Sequence, residues 1–166
     1  MDATIVIPVK NGGPLLRDVL QEVFSQQTDY TYEVVCVDSG STDGSLDVIQ
    51  EFPCRLYQIP PSDFGHGRTR NFGASKGTGE YIVFITQDAK PASQKWLQNF
   101  LDAMNSDPEI VGGFGIHYPY PDCNPFDKRD LTVHFEGFGK ENTVFQLVDR
   151  ERYEREEAYR HFMVFF

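Results

Sequence analysis

The chain has 166 residues, 40% of them hydrophobic, with 15 Lys and Arg against 25 Asp and Glu and a formal net charge of −10. Such a length and apolar content support one domain with its own core. The acidic balance excludes a nucleic-acid partner, which needs a basic face, but allows a small phosphorylated ligand served by a few local cations.

Strand and helix patterns alternate from the N-terminus, as in a parallel, doubly wound sheet. The first predicted strand is 4–9. It leads to a helix opening near Pro14, a good first-turn residue, with an apolar stripe at Leu15, Leu16, Val19, Leu20, Val23 and Phe24. A second strand covers 32–38, and a short helix with Leu46, Val48 and Ile49 apolar follows Asp43. A weaker third strand, 55–59, is closed by Pro60 and Pro61. A helix is expected over 66–76, stopped at Gly77 as a C-cap. The fourth strand, 80–86, is an unbroken apolar run and is expected to be covered on both faces. The next helix, 93–105, carries Trp96, Leu97, Phe100, Leu101 and Met104 on one side, with Trp96 expected in the core, and Asp107-Pro108 ends it. A fifth strand is expected over 110–118.

Beyond that the pattern weakens. A loop with Pro119, Pro121 and Pro125 precedes 128–138, which reads as helical or irregular, and 149–161 reads as a charged helix. The chain finishes on the apolar run 162–166, so it is expected to be a piece of a longer protein. No run approaches the roughly 20 apolar residues of a membrane-spanning helix, and the first residues show no signal-peptide pattern. The three cysteines lack metal-ligand spacing and read as free thiols of a reducing compartment.

Three of the strands end in small, hydroxylic or acidic residues: IPVKN, VDSGS and ITQD. Open α/β sheets bind ligands just outside the carboxyl ends of their strands, which makes a nucleotide-and-metal site the leading hypothesis. Asp38 is placed to accept a hydrogen bond from a base or ribose, or else to cap its own turn. Ser39 is its neighbour in either role, while 41–44 reads as a turn and helix cap. Asn11, followed by Gly12-Gly13, is a nucleotide contact or a turn residue, and Pro8, Val9 and Lys10 are placed to lie beside the base through backbone groups. Asp88 supplies one hard oxygen ligand for Mg2+ or Mn2+, with diphosphate oxygens and water completing the shell. His66, Arg68 and Arg70 lie in a glycine-bearing helix start that directs amides and cations at a diphosphate, or are solvated charges. His117 and His134 have no partner spacing that implies a metal site or triad; Tyr118 and Tyr120 lie in the Pro-rich loop, where aromatic rings can flank a sugar.

The stretches TIVIPVKNGG, VVCVDSGSTDGS and GRTRNFGASKGTGEYIVFITQDAKP resemble the nucleotide-sugar half of the family 2 inverting glycosyltransferases with the GT-A fold, over about 3–118. FGHGRTRN, TQDAKP and GFGIHYPYPDCNPFDKRDL are similar to bacterial rhamnosyltransferase-like members. The resemblance implies a GT-A-like (Rossmann-like) doubly wound, mostly parallel sheet flanked by helices. It implies one glycosyltransferase domain over 1–166, with 1–118 binding the nucleotide sugar and 119–166 starting the acceptor side. Pro8, Asn11, Asp38, Ser39, His66, Arg70 and Gln87 would be nucleotide-binding, and Asp88 would hold Mg2+ or Mn2+. Two departures stand out. Where many members carry two acids, this chain has Asp38-Ser39, and where many carry Asp-x-Asp it has Thr86-Gln87-Asp88. The acidic catalytic base that members place later has no match before Phe166 and is expected beyond it.

The activity implied is transfer of a sugar, rhamnose by the narrower likeness, from a nucleoside-diphosphate donor to a hydroxyl of a cell-surface polysaccharide or lipid-linked glycan, with inversion. The cytoplasm, at the inner membrane face, is the implied place, and the oligomeric state is left open. The rival expectation is a non-catalytic nucleotide- or glycan-binding module built on the same fold. A dinucleotide oxidoreductase or nucleotidyltransferase is disfavoured, because no Gly-x-Gly-x-x-Gly follows the first strand and no phosphate loop of the Gly-Lys-Ser/Thr type occurs.

Overall fold

A computed structural model describes residues 1–136, 144 and 146–157. The described residues fall in two compact units, Met1–Asn99 and Phe100–Phe166.

The first unit is built on runs of β-branched residues that only a doubly covered strand can bury. β1 is Ala3–Val9 and β2 is Tyr32–Asp38, and most of both is fully buried. β3, Arg55–Gln58, and β4, Tyr81–Phe84, complete a four-stranded sheet in the order β3-β2-β1-β4, parallel throughout. The intervening helices are α1, Gly13–Phe24, α2, Ser45–Gln50, and α3, His66–Lys76. α1 has Pro14 in its first turn and buries Leu16, Val19, Leu20 and Val23, the predicted stripe apart from an exposed Leu15 and half-buried Phe24. α4, Trp96–Asn105, begins within this unit, where Gln26 Oε1 accepts from Leu97 N at 2.9 Å. Trp96 itself is half-buried rather than in the core.

α3 lies on β1 and β2 through a glycine. A Cβ at Gly73 would collide with Val6 Cγ1 and lie 3.2 Å from Val37 Cγ2. Tyr57, Ile59 and Phe72 close around the same Val6, Val35 and Val37 cluster. Gly77 ends α3 as predicted, but its backbone is extended (φ −73°), not left-handed. Its glycine identity is needed for approach, since a Cβ would stand 2.6 Å from both Thr4 Oγ1 and Thr4 Cγ2.

β4 departs from expectation. It is shorter than 80–86 and, among the described residues, pairs with β1 alone. Val83 is buried, but Ile82 and Phe84 are 36% and 45% exposed, so it is covered on one face only. The expected fifth strand, 110–118, is irregular. Gly112, Gly113 and Gly115 interrupt it and Val111 is fully exposed, and glycine in a strand has no side chain to pack.

The second unit contains the rest of α4, then α5, Pro125–Glu136, and α6, Arg150–Arg155. Asn124 Oδ1 accepts from Phe126 N at 2.8 Å, and Asp149 Oδ1 from Arg152 N at 2.9 Å, satisfying otherwise orphaned helix-start donors. The predicted helix over 149–161 is shown over 150–155, and its last residues, like 162–166, lie outside the described residues.

Glu33 holds together the N-terminal edge of the sheet. It lies opposite Thr4 in the ladder and accepts from Thr4 Oγ1 (2.9 Å), Thr78 N (2.6 Å), Thr78 Oγ1 (2.8 Å) and Arg55 Nη1 (2.7 Å). Its side chain is 12% exposed. Burial acts to raise its pKa, but the Arg55, Thr78 and Thr4 bonds outweigh it and hold the carboxyl at about 2, against an ordinary 4.5. Because the folded value lies below the unfolded one, this stability is fully present above pH 4.5 and is lost as pH falls through about 2. Allowing for screening at the exposed Arg55, the loss is about 2 kcal/mol. Chemical denaturation at stepped pH is expected to show that decline in the native chain and a flatter acid limb in Glu33→Gln. Equal acid limbs would exclude Glu33 as its source.

Candidate active site: the carboxyl rim of the sheet

Because all four strands run parallel, the loops after β1, β2 and β4 emerge on one rim. Val9 stands beside Asp38 and Val6 beside Phe84, so the turn containing Gln87 and Asp88 begins at the level where β1 and β2 end. β2 and β4 flank β1, which puts their loops about 10 Å apart by strand spacing.

Hydrogen bonds lock these loops together. Ser39 N donates to Val9 O at 2.9 Å, and the Ser39 hydroxyl donates to the same carbonyl at 3.1 Å. Asn11 N donates to Ser41 Oγ (2.8 Å), Asn11 Oδ1 accepts from Thr42 N (2.8 Å), and Gly12 N donates to Ser45 Oγ (2.9 Å). Asp43 Oδ2 accepts from Gly13 N at 2.9 Å. The Ser45 hydroxyl, followed by the main-chain N–H groups of Gly13 and Ser45, lowers the Asp43 carboxyl below its ordinary range. Asn11 is the non-glycine residue with positive φ (50°) among the described residues, a conformation Asn tolerates.

Lys10 is the hub that spacing alone did not reveal. Its ammonium donates to the carbonyls of Ser39 (3.2 Å) and Gly40. Its main-chain N–H donates to Gln87 Oε1 at 2.8 Å, and its carbonyl accepts from Gln87 Nε2 at 3.1 Å. One residue thus ties the β2 loop to the β4 loop. The only sequence signal was a cation between a buried strand and Asn-Gly-Gly.

Asp38 is fully buried, and its carboxylate accepts from Gly40 N (2.9 Å) and Ser41 N (3.1 Å). Gly40 has φ 89°, and a Cβ there would lie 2.8 Å from Pro61 Cγ, so the 59–65 segment packs on this loop. That segment leads into α3, where the Phe64 and His66 rings meet at 5.2 Å and Arg70 Nη1 donates to His66 O at 3.0 Å. Pro8 is half-buried within β1, and Asp88 is exposed. Of the sequence-predicted site residues, Asn11, Asp38, Ser39 and Gln87 therefore belong to one bonded rim, with Asp88 next to Gln87. His66 and Arg70 descend from the same rim on α3, while Arg68 is exposed. His117 and His134 lie in the second unit, where each ring packs near Phe135.

Among the described residues no group of three or more His, Cys, Asp or Glu side chains is arranged to hold a metal. One exposed carboxylate does not make a site for a metal held by protein alone. It does fit a hard divalent cation whose other oxygen ligands come from a diphosphate and water.

Residues 4–161 match glycosyl transferase family 2. The chain belongs to that family. It is 34% identical over 140 residues to the O-antigen chain rhamnosyltransferase RfbN of Salmonella typhimurium, covering 83% of this chain and 42% of that protein. It is 30% identical to the O-antigen chain rhamnosyltransferase WbaN of Salmonella anatum, covering 81% and 41%. The chain thus spans about two-fifths of the length of these curated relatives. Among solved structures it is similar to the mannosyltransferase PcManGT of Pyrobaculum calidifontis, determined in complex with GDP-Man and Mn2+. That match has a TM-score of 0.56 and 27% identity, over 65% of this chain and 33% of the other. S. aureus TarS 1-349 in complex with UDP-GlcNAc has a TM-score of 0.56 and 21% identity, over 72% and 37%, a likeness of fold. The parallel sheet flanked by helices is accordingly the GT-A glycosyltransferase fold that the motifs led us to expect.

Proposed function

We propose that this chain is the donor-binding part of an inverting glycosyltransferase that takes a nucleoside-diphosphate sugar. The observation that carries the reading is the rim itself. Three strand ends of one parallel sheet are bonded into a single platform, with Asp88 exposed beside it. The GDP-Man bound by PcManGT supports a nucleoside-diphosphate sugar as donor, and the Salmonella O-antigen rhamnosyltransferases support rhamnose as the sugar and a growing cell-surface polysaccharide as acceptor; deoxythymidine diphosphate is the carrier that the motif resemblance implies. Such a reaction belongs in the cytoplasm, at the inner membrane face. Among the described residues no helix is long and apolar enough to cross a membrane.

In this reading Asp88 would hold Mg2+ or Mn2+ together with the donor diphosphate. The ion, when bound, supplies positive charge to the departing diphosphate. Arg70 would bring further positive charge, and His66 a ring N–H donor, from α3 toward the same group. Asn11, Pro8 and the Asp38-Ser39 loop shape the place of the base and ribose. Inversion by a single in-line displacement also needs a base to take the acceptor proton. No residue of the rim stands out for that role, and we assign it to a carboxylate later in the whole protein.

Calorimetric titration with thymidine- and uridine-diphosphate sugars, with and without Mn2+, tests the reading. Expected is binding of a thymidine-diphosphate sugar that Mn2+ tightens by about tenfold or more. Binding indifferent to Mn2+, or the absence of binding, would overturn it. Sugar transfer at a normal rate by these 166 residues alone would overturn the assignment of the base to a later segment.

A further inference from the structure

We propose that Gln87 is a positioning residue: it aims Asp88 by gripping the main chain of Lys10, and it is not a ligand contact. This rests on the donor-site reading above. It changes the role that the sequence assigned to Gln87 and names what holds the metal ligand in place.

The β1–β4 ladder runs from Ala3 beside Tyr81 to Val6 beside Phe84, with one further bond from Ile85 N to Val6 O at 3.2 Å. There β4 ends and the chain turns, with Ala89 N donating to Thr86 O at 3.3 Å. Beyond it the turn is tied by a long, exposed ion pair from Lys90 Nζ to Asp18 Oδ2 at 3.9 Å, a weak hold at the surface. The side chain of Gln87 takes over where the main-chain ladder stops. Its amide pairs with both the N–H and the C=O of Lys10, at 2.8 and 3.1 Å, as a neighbouring strand residue would. A Cβ at Gly12 would lie 2.9 Å from Leu16 Cβ and 3.3 Å from Gln87 Oε1, so the glycine makes room first for Leu16 and also for the Gln87 amide.

Lys10 is held in turn by its bonds to the Ser39 and Gly40 carbonyls. The turn bearing Asp88 is thereby fixed to the body that bears Asp38. The two main-chain bonds fix the plane of the half-buried Gln87 amide and turn one donor and one acceptor away from a ligand, whereas the next residue is exposed at the rim. Fixing a ligating carboxylate before the ligand arrives removes an ordering cost from binding. Glutamine suits this role and glutamate does not. Donating to one main-chain group and accepting from the other needs an amide, because a carboxylate would face the Lys10 carbonyl with an unprotonated oxygen.

The test is a double-mutant cycle of Gln87→Ala and Asp88→Ala, titrated with thymidine diphosphate plus Mn2+ and, separately, with thymidine. Gln87→Ala is expected to weaken Mn2+-dependent uptake of thymidine diphosphate by about tenfold and to leave thymidine unchanged. The double variant should bind no more weakly than Asp88→Ala alone, because Gln87 acts only through Asp88. Amide exchange at Lys10 should quicken in Gln87→Ala without any ligand present. Gln87→Glu is expected to behave as Gln87→Ala does, and serves if the alanine variant folds poorly. Additive losses would show that Gln87 touches the ligand and would overturn the inference. So would unchanged thymidine diphosphate binding, or a lowered Tm with unaltered affinity. A silent Asp88→Ala beside a weakened Gln87→Ala sinks the metal assignment instead, and a chain that takes up no thymidine diphosphate sinks both.

Discussion

Gly73→Val is expected to destabilise the sheet-bearing unit by about 3 kcal/mol or more. In a helix interior glycine is a poor choice, and replacing it by alanine ordinarily gains about 0.5–1 kcal/mol. Here that gain is overrun. The new Cβ would collide with Val6 Cγ1, in the middle of β1, and press on Val37 of β2 at 3.2 Å. Both valines are fully buried, so neither can move aside into solvent. Even Gly73→Ala should therefore lower the denaturation midpoint. Trimming the obstruction with Val6→Ala should make the alanine at 73 less costly than it is in the native background, a coupling that a double-mutant cycle reads directly. A Gly73→Val chain as stable as the native one would mean that α3 does not rest on the sheet as described.

That glycine also shows where the sequence stops being legible. β1, β2 and α1 were readable to within a residue or two, because long β-branched runs and a Pro-led stripe leave few alternatives. α3 was placed by its limits, yet it has no apolar stripe, and its decisive contact is an absent side chain. Gly77 was read as a stop by conformation, whereas the constraint is the closeness of Thr4. β4 and 110–118 were over-read for a different reason. An apolar run predicts burial only if something lies over it, and run length cannot say what does. At the rim, the sequence identified the right loops but not their internal commitments. Lys10 was read as lying beside the base through its backbone, but that N–H and C=O are bonded to Gln87, and its ammonium to the Ser39 and Gly40 carbonyls. Ser39 looked like a ligand contact, and its hydroxyl is turned to the Val9 carbonyl. A polar residue after a strand serves its own turn or a guest with equal plausibility until its neighbours are known.

The sharpest case is the pair of carboxylates at 38 and 88, both read from the sequence as donor-site groups, which the structure separates by burial. Asp38 is fully buried and accepts from Gly40 N and Ser41 N, so removing it strips two half-buried turn donors of their acceptor. Asp38→Ala should cost about 2–4 kcal/mol and loosen the whole rim, while Asp38→Asn, which keeps one acceptor oxygen, should cost less. Nucleotide affinity would fall in both as a consequence of the disordered loop. Asp88 is exposed, and Asp88→Ala should shift stability by no more than about 0.5 kcal/mol. Its effect belongs to binding: the Mn2+ enhancement of nucleoside-diphosphate uptake should vanish while the metal-free affinity survives. Thermal melts and calorimetric titrations on the same two variants separate the roles. An Asp38→Ala chain of native stability would show that its carboxylate is held for a ligand rather than for its own loop. An Asp88→Ala chain that keeps its Mn2+ response would place the cation elsewhere on the protein.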